Sequence, residues 1–332
     1  YPFHSDMKFV IWCHNFCSLQ DLEFFYYSPR IARIINVGRE QMDLYRDHIA
    51  FQKMDFIYNC VPIREEDIET CKKHPYSSRG HVVTYLGSLV KSKYFHVLAR
   101  LWPEILKRVP DAELYVIGSG KVHNSNQKLG KYGIASEKYE QDFIPFLIDC
   151  KSNIHPSVHF MGKMGAEKNE ILLKTKVGAP NPTGDSETFC LSAVEMETLG
   201  AACAAMDAPG YYDTFINGYI SKREKDYVND IVKLLLADTP PVPFEDVVKA
   251  IKDKFSVESV IIDWERLFLS DMATYLHPIS PLTNNGYRLK CLKDLLRKLK
   301  KNHIIPKSTP TVEHFYGLIN RIRLKARRIC SR

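Results

Sequence analysis

Short runs of consecutive apolar residues recur along the chain up to about residue 238, and most are followed by a segment with helical spacing of apolar positions. Such runs, rich in Val and Ile, are typical of strands that are buried on both faces. We predict strands at 8–13, 31–37, 55–58, 81–86, 113–117, 158–161 and 201–206, and helices at 22–27, 39–48, 95–109 and 170–174. This alternation predicts α/β domains with parallel sheets.

Two polar, proline-containing segments divide this pattern. Residues 63–80 have few apolar positions and include Pro75 and Gly80, which is typical of a linker. Residues 239–244 read TPPVPF and precede two helical segments at 245–255 and 257–269. We therefore predict an N-terminal domain at 1–75, a Rossmann-like domain at 76–238, and C-terminal helices with a basic tail at 239–332.

Positive charge is concentrated at the end of the chain. Residues 287–332 contain fourteen Lys and Arg but two acids, within a chain of 332 residues and net charge +7. Apolar residues form one helical stripe there, at Leu289, Leu292, Leu296 and Leu299, and a second stripe runs from Phe315 to Ile329. Basic amphipathic helices bind anionic membrane surfaces, so we expect a membrane partner for 287–332. Packing of the stripes on the N-terminal domain is the alternative, and no motif indicates a nucleic-acid partner.

The spacing of the cysteines indicates the cellular compartment. Nine are scattered along the chain without a C-x-x-C pair, which is typical of free thiols in a reducing cytoplasm. Cys13, His14 and Cys17 are close in sequence, but no second pair of ligands follows at metal spacing. No apolar run approaches the length that crosses a bilayer. We expect a cytoplasmic protein that is at most peripheral at the membrane.

The stretch NPTGDSETFCLSAVEMETLG at 181–200 has the most specific pattern of candidate chemistry. It leads from a turn rich in Pro, Gly and Asp into a segment with helical character, and Glu187 and Glu195 are eight positions apart. A helix that starts near residue 188 would present backbone N–H groups to a phosphate. A nucleotide sugar fits such a site, although two solvated acids around a helix start give the same pattern.

Glycines follow three predicted strands of 76–238, and a lysine stands within four positions of each of these glycines. A glycine at a strand end lets a ligand approach the main chain, and a lysine can neutralise phosphate charge. A tight turn between strand and helix accounts for each glycine equally well. The candidate positions are Gly87, Ser88, Lys91, Lys93, Gly118, Gly162 and Lys163.

In order and type, these segments resemble the retaining glycosyltransferases of family 4, which have the GT-B fold. Residues 187–195 are similar to the E-x7-E segment of that family, and the glycine turns fall in the family's order. The segments HN at 14–15, INVGREQMDLY and FIYNCVP resemble the second half of the family's N-terminal domain. The resemblance implies two Rossmann-like domains facing across a cleft, followed by C-terminal helices. The first half of the N-terminal domain is not in this sequence, so we expect that domain to be incomplete.

The resemblance also implies roles for the residues around 187–195. Glu187 would contact the transferred sugar, and Glu195 would hold the ribose hydroxyls. The diphosphate would bind to the backbone N–H groups of Thr188, Phe189 and Cys190. Glu197, which is close by, is assigned to solvent.

The glycine turns and one histidine complete the implied donor site. Lys93 matches a lysine that holds the donor diphosphate, whereas Ser88 occupies the position of the family's arginine and Tyr94 that of a glycine. Lys91 could supply the missing charge. His14 matches a histidine that contacts the donor sugar. The turns at Gly87, Gly118 and Gly162 with Lys163 would border the nucleotide, whose base is read by main-chain groups.

These implications predict a retaining glycosyltransferase with Glu187, His14 and Lys93 as catalytic residues. It would move a sugar from a nucleoside-diphosphate sugar to a glycan or lipid-linked acceptor, in surface polysaccharide or glycolipid synthesis. No Asp-x-Asp occurs in the chain, so we expect a metal-independent reaction without a cofactor. The alternatives are a GT-B nucleotide-sugar epimerase or phosphorylase, and a non-catalytic relative that binds a nucleotide sugar.

Overall fold

The computed structural model of the chain describes residues 7–122, 124–183, 187–269, 289–315 and 318–319. The chain divides into two compact units, one formed by 1–58 with 262–332 and the other by 59–261. The domain boundaries after residues 75 and 238 come from the sequence pattern alone and stay a prediction.

Within the described residues the chain forms nine strands and twelve α-helices. The strands are β1 (Phe9–Cys13), β2 (Ile31–Asn36), β3 (Met54–Phe56), β4 (Val82–Leu86), β5 (Glu113–Ile117), β6 (Val158–Gly162), β7 (Val177–Gly178), β8 (Ala202–Met206) and β9 (Gly218–Ser221). The helices are α1 (Leu19–Tyr27), α2 (Arg39–Asp43), α3 (Glu65–Lys73), α4 (Phe95–Arg108), α5 (Glu137–Phe143), α6 (Lys168–Leu172), α7 (Leu191–Thr198), α8 (Pro209–Thr214), α9 (Glu224–Leu236), α10 (Phe244–Phe255), α11 (Val257–Leu269) and α12 (Lys290–Lys301).

The unit of 1–58 and 262–332 contains a three-stranded parallel sheet in the order β1-β2-β3. The middle strand, β2, pairs with both of its neighbours, and Ile34 and Ile35 in it are fully buried. Helix α1 starts after Ser18, whose hydroxyl accepts a hydrogen bond from the backbone N–H of Asp21 at 3.1 Å. The three strands predicted for this part of the chain are confirmed.

The unit of 59–261 contains a six-stranded parallel sheet in the order β6-β5-β4-β7-β8-β9. If its strands are numbered along the chain, the order is 3-2-1-4-5-6, that of a doubly wound Rossmann sheet. Buried apolar residues of the strands pack against the buried face of α4, which includes Leu98 and Trp102. The order reverses between β4 and β7, and ligands of such sheets bind at the carboxyl ends of the strands at this point.

Half of the segment predicted as a linker, 63–80, forms helix α3, which was not predicted. Helix α3 buries two side chains, Ile68 and Cys71. Two apolar positions give too weak a periodic pattern to detect, since the rest of the helix is polar. Its first turn holds acids and its last turn holds lysines, an arrangement that stabilises a short helix through its dipole.

Helix α12 packs against 1–58 through buried lysines, and its predicted apolar stripe is divided: Leu289 and Leu292 are exposed, while Leu296 and Leu299 are half-buried. Lys293 and Lys300 are 1% and 0% exposed, whereas Leu292 and Leu295 are 43% and 52% exposed. The Nζ atom of Lys293 donates to the carbonyl oxygen of Leu44 at 3.1 Å, and Nζ of Lys300 donates to that of Asp47 at 2.9 Å. Most of the second predicted stripe, which ends at Ile329, lies outside the described residues. Among the helices that are described, none is long and apolar enough to cross a membrane.

Candidate functional site

The predicted glycine turns lie together at the carboxyl ends of three adjacent strands. The backbone N–H of Gly87 donates to the carbonyl oxygen of Ile117 at 3.0 Å, and that of Gly118 donates to Gly162 at 2.8 Å. Gly118 has a φ of +148°, and a Cβ atom there would lie 1.8 Å from the carbonyl oxygen of Gly87. A side chain is therefore excluded at Gly118, where β5 ends between β4 and β6. We call Gly87, Gly118 and Gly162 the glycine edge.

A cavity of about 370 Å³ adjoins the glycine edge. It is lined by main-chain and small groups together with apolar side chains of β6 and of the loop before α5. The lining residues are Gly118, Ser119, Tyr132, Gly133, Ile134, Ile154, Val158, Phe160 and Gly162. Its volume lies within the range of about 300–1,000 Å³ that is usual for small-molecule sites.

The loop after β4 is held by a tyrosine that the sequence analysis did not identify. The hydroxyl of Tyr85 is fully buried and lies 3.2 Å from the carbonyl oxygens of both Ser88 and Lys93. A tyrosine in a buried strand is the signal that could have indicated this role, because a buried hydroxyl needs a partner. Ser88, in the position of the family's arginine, is itself buried at 8% exposure.

The residue after Lys93 has a left-handed backbone. Tyr94 has φ 53° and ψ 22°, a conformation that costs an ordinary residue about 1–2 kcal/mol but costs glycine little. Glycine, which the resemblance implies at this position, would adopt this geometry without strain. Here the chain keeps the turn without the glycine.

Lys93 and Glu187 form an ion pair across the point where the strand order reverses. Lys93 follows β4, Glu187 follows β7, and the Nζ atom of Lys93 contacts Oε1 of Glu187. Asn181 donates to the same carboxylate oxygen from Nδ2 at 3.3 Å. Glu187 is buried at 7% exposure, while the side chain of Lys93 stays 31% exposed. The structure thus brings together two of the three residues that were predicted to be catalytic.

The turn that carries Glu187 is fixed by α8. The backbone N–H of Gly210 donates to the carbonyl oxygen of Glu187 at 3.2 Å. A Cβ atom at residue 210 would lie 2.9–3.0 Å from main-chain atoms of residues 187–189, so the close approach depends on glycine. The Tyr211 hydroxyl donates to the carbonyl oxygen of Asn181. Gly210 and Tyr211 were not predicted, and their spacing from Glu187 gives no local signal.

The helix that was expected near residue 188 begins three residues later, which corrects that part of the prediction. Helix α7 begins at Leu191, with Cys190 as its N-cap. Thr188 and Phe189 lie in the turn before it, and the Phe189 ring packs on Phe255 at a centroid distance of 5.3 Å. Phe189 is apolar and is drawn into the core, which keeps this turn outside the helix.

Glu195 also carries a lysine partner. Oε2 of Glu195 lies 2.8 Å from Nζ of Lys168, which is on α6, and the two side chains are 33% and 25% exposed. The pair is open to solvent, so a ligand can reach it. Lys168 was not predicted, because a lone lysine in a polar segment has no distinguishing pattern.

Glu197 was assigned to solvent, and that assignment was wrong. Its side chain is fully buried and accepts hydrogen bonds from the backbone N–H groups of Ile216 at 2.9 Å and Asn217 at 3.2 Å. Burial raises the pKa of Glu197 to about 8. It therefore organises the loop before β9, where polar backbone groups would otherwise lack a partner.

The remaining predicted lysines are at the surface. Lys91 forms an ion pair with Asp142 at 3.0 Å, and the two side chains are 70% and 34% exposed. Lys163 is exposed beyond the glycine edge. Their roles at a ligand stay predictions.

His14 belongs to the other unit, so its predicted role at the donor sugar also stays a prediction. It follows β1, is exposed, and its ring lies 4.3 Å from that of Trp12. In the described part of the chain, no group of three or more His, Cys, Asp or Glu could hold a metal ion.

Comparison with known families identifies the domain that carries this site. Residues 80–237 match the family described as "Glycosyl transferases group 1". The matched range contains the whole glycine edge and both acid–lysine pairs. No curated protein matches the chain.

Solved structures confirm the fold. A mutant of S. aureus TarM, in complex with fondaparinux, alpha-GlcNAc-glycerol and UDP, matches with a TM-score of 0.60 at 17% identity, over 80% of this chain and 52% of that one. Anabaena HepE, in complex with UDP and glucose, matches with a TM-score of 0.58 at 15% identity, over 79% of this chain and 71% of that one. Sucrose-phosphate synthase from Thermosynechococcus elongatus matches with a TM-score of 0.54 at 13% identity, over 78% and 67%. The chain thus has the GT-B glycosyltransferase fold, and it spans about half the length of TarM.

Proposed function

We propose that this chain, whose residues 80–237 form a group 1 glycosyltransferase domain, transfers a sugar from a nucleoside-diphosphate sugar with retention of configuration. The acceptor would be a glycan or a lipid-linked glycan of surface polysaccharide or glycolipid synthesis. The observation that carries this proposal is the Lys93–Glu187 ion pair at the reversal point of a Rossmann sheet, beside strand ends that lack side chains.

Glu187 is suited to hold the transferred sugar. Its carboxylate is fixed by Lys93 and Asn181, and its main chain by Gly210. A fixed carboxylate binds sugar hydroxyls without first losing conformational freedom, which favours a single orientation of the anomeric carbon. The free thiols of the described cysteines fit a reaction in the cytoplasm.

Lys93 is suited to stabilise the leaving diphosphate. Its ammonium group has three donors, so it can bind a phosphate oxygen while it keeps its contact with Glu187. Negative charge grows on the diphosphate as the glycosidic bond to the donor breaks, and a positioned cation lowers the energy of that state. The N–H groups of 188–190 would add to this stabilisation, and Glu195 would bind the ribose. In this proposal fixed charges supply what a metal supplies elsewhere.

A ligand screen followed by turnover assays tests the proposal. The full chain is heated with UDP, GDP or ADP and with their sugars, starting with UDP-glucose because UDP and glucose are bound in the HepE structure. The donor that raises the melting temperature is then given with candidate glycan acceptors. Consumption of donor without any acceptor would favour an epimerase, and binding without any product would favour a non-catalytic relative.

Two substitutions test the roles within the site. Glu187→Ala and Lys93→Ala should each lower kcat/KM about 100-fold or more, as does loss of other groups that stabilise a developing charge. Glu104→Ala and Lys107→Ala are matched controls, because these residues form an exposed ion pair on α4. Turnover within a few-fold of wild type in both site variants would refute the assignment.

We further propose that α12 places the enzyme on an anionic membrane surface. Three leucines are exposed along one side of this helix, Leu289 at 48%, Leu292 at 43% and Leu295 at 52%. Exposed lysines such as Lys298 and Lys301 flank them. A helix of this kind inserts leucines between lipids while its lysines meet acidic headgroups. A lipid-linked acceptor would then be presented at the same surface.

Vesicle binding tests the membrane proposal. Wild type should co-sediment with phosphatidylserine vesicles but weakly with pure phosphatidylcholine, and high salt should release it. The double variant Leu292→Gln, Leu295→Gln should bind at least fivefold less. Leu236→Gln is the control, since that leucine is 58% exposed on α9. Equal co-sedimentation of the double variant and wild type would remove the claim.

A further inference from the structure

Two thiols meet at the end of β1. Cys13 is the last residue of the strand, and Cys17 precedes Ser18, the N-cap of α1. Their Sγ atoms lie 3.2 Å apart. Cys13 is buried at 5% exposure, and Cys17 is half-buried, so a small oxidant can reach the pair from the side of Cys17.

The main chain at both cysteines is held by hydrogen bonds from the segment that follows β2. Gln41 donates from Nε2 to the carbonyl oxygens of Cys13 at 3.3 Å and Asn15 at 2.9 Å. The Tyr45 hydroxyl donates to the carbonyl oxygen of Cys17 at 3.1 Å. The two sulfur atoms therefore stay close without any covalent link. A disulfide needs them about 2.05 Å apart, so they must approach by about 1.2 Å, which side-chain rotation can supply.

The two cysteines have different roles in an oxidation: one reacts with the oxidant as a thiolate, and the other stays protonated beside it. The hydrogen bond between the thiols lowers the pKa of Cys17 and raises that of Cys13. The thiolate is the reactive form of cysteine, so Cys17 is the sulfur that meets an oxidant first. Cys13 keeps its proton in the buried position beside it.

We propose that Cys13 and Cys17 are a modification site, a dithiol that peroxides oxidise to a reversible disulfide. The Cys17 thiolate attacks one oxygen of hydrogen peroxide, the O–O bond breaks, hydroxide leaves, and Cys17 becomes a sulfenic acid. The Cys13 sulfur then attacks the Cys17 sulfur and displaces the hydroxyl group, which leaves as water with the Cys13 proton. Two thiols and one peroxide thus give one disulfide and two waters.

The cross-link would close a ring that contains His14, the residue that the resemblance places at the donor sugar. It would fix the main chain between β1 and α1, which hydrogen bonds alone hold in the reduced form. The site lies wholly within the unit of 1–58 and 262–332. Its chemistry is independent of the proposed transfer reaction.

Mass spectrometry tests this proposal directly. The full chain is reduced, treated with hydrogen peroxide, denatured, alkylated with iodoacetamide and digested with trypsin. Both cysteines fall in one tryptic peptide, 9–30, because no Lys or Arg lies between Lys8 and Arg30. We expect this peptide to lack alkyl groups and to weigh two hydrogen atoms less than its reduced form. Dithiothreitol before alkylation should restore the doubly alkylated peptide.

The other cysteines of the chain are internal controls. Cys60 and Cys150 are exposed single thiols, and the 9–30 peptide should lose alkylation at least tenfold faster than theirs. Cys17→Ser should abolish the lighter peptide and leave Cys13 open to alkylation, whereas Cys60→Ser should change nothing. Doubly alkylated 9–30 after peroxide treatment would overturn the proposal. The proposal would also be overturned if peptide 9–30 lost alkylation no faster than Cys60. A cross-link from Cys17 to a cysteine other than Cys13 would overturn it as well.

Discussion

The glycine edge and the underside of α12 are both close-packed regions, but main-chain groups make the contacts in the first and side chains make them in the second. At the glycine edge, main-chain groups of β4, β5 and β6 contact one another because no Cβ atoms intervene. Under α12, long lysine side chains reach carbonyl oxygens of 44–47. We call Lys293 and Lys300 the lysine anchor.

The difference shows how far a sequence pattern can be trusted. A region made by the main chain needs glycine at fixed places, and glycines after strands are visible in the sequence. A region made by buried lysines has the composition of a surface, because lysine is the usual exposed residue. Lysine is therefore found both in the partly exposed ion pairs of Lys93 and of Lys168 and in the buried lysine anchor.

The largest expected effect is at the glycine edge. Gly118→Ala would place a Cβ 1.8 Å from the carbonyl oxygen of Gly87 in a backbone with φ +148°. We expect a loss of about 3–5 kcal/mol in the free energy of unfolding, from overpacking and backbone strain together. Urea denaturation measures it. Gly80→Ala is the control, because the nearest atom to a Cβ there is 3.9 Å away. A Gly118→Ala variant within 1 kcal/mol of wild type would contradict the geometry.

Removal of one anchor lysine should be the next largest effect. Lys293→Met keeps the length of the side chain but leaves the carbonyl oxygen of Leu44 and the carboxylate of Glu313 without this donor. We expect the free energy of unfolding to fall by about 2–4 kcal/mol. Lys298→Met, on the exposed side of the same helix, should change it by less than about 0.5 kcal/mol. Equal melting temperatures for the two variants would show that Lys293 is a surface lysine after all.

Glu197 extends the comparison to a buried acid whose partners are backbone N–H groups. Its pKa is raised from an ordinary value of 4.5 to about 8, because burial disfavours the charged form. At a pH between these two pKa values, Glu197 keeps its proton in the folded state and has lost it in the unfolded state. The free energy of unfolding should therefore fall as pH rises through this window, by about 1.4 kcal/mol per pH unit from this group.

Glu197→Gln isolates that contribution. The variant should show a flatter dependence of stability on pH between about 5 and 8. Denaturation curves at several pH values, with Glu224→Gln as an exposed control, give the difference. Parallel curves for wild type and Glu197→Gln would place the pKa of this carboxyl in its ordinary range.

The smallest effect is expected for an exposed pair at the site. Lys168 and Glu195 are 2.8 Å apart, but their side chains are 25% and 33% exposed. Such pairs contribute about 0.2–1 kcal/mol, because water screens them and both side chains lose freedom. Lys168→Ala should therefore shift the melting temperature far less than Lys293→Met. A loss above 2 kcal/mol would remove the distinction between site lysines and anchor lysines.

Much of the fold was predictable because strands and glycines have local signatures. The apolar runs at 81–86 and 113–117 became β4 and β5, and the glycines after them met as expected. Helix α3 was not found, since it buries two residues. Tyr94 was not predictable either, because it adopts a left-handed turn that glycine would normally supply.

The sequence by itself determined the α/β class, the parallel sheets and the glycines that follow the strands, because each follows from residues close together in the chain. Only the tertiary structure decided which charges are paired, which are buried and which face solvent. Glu187 meets Lys93 from a distance of 94 residues, and Lys293 reaches Leu44 across 249. Contacts between such distant residues depend on how strands and helices are assembled, and no local pattern of polar and apolar positions encodes that assembly.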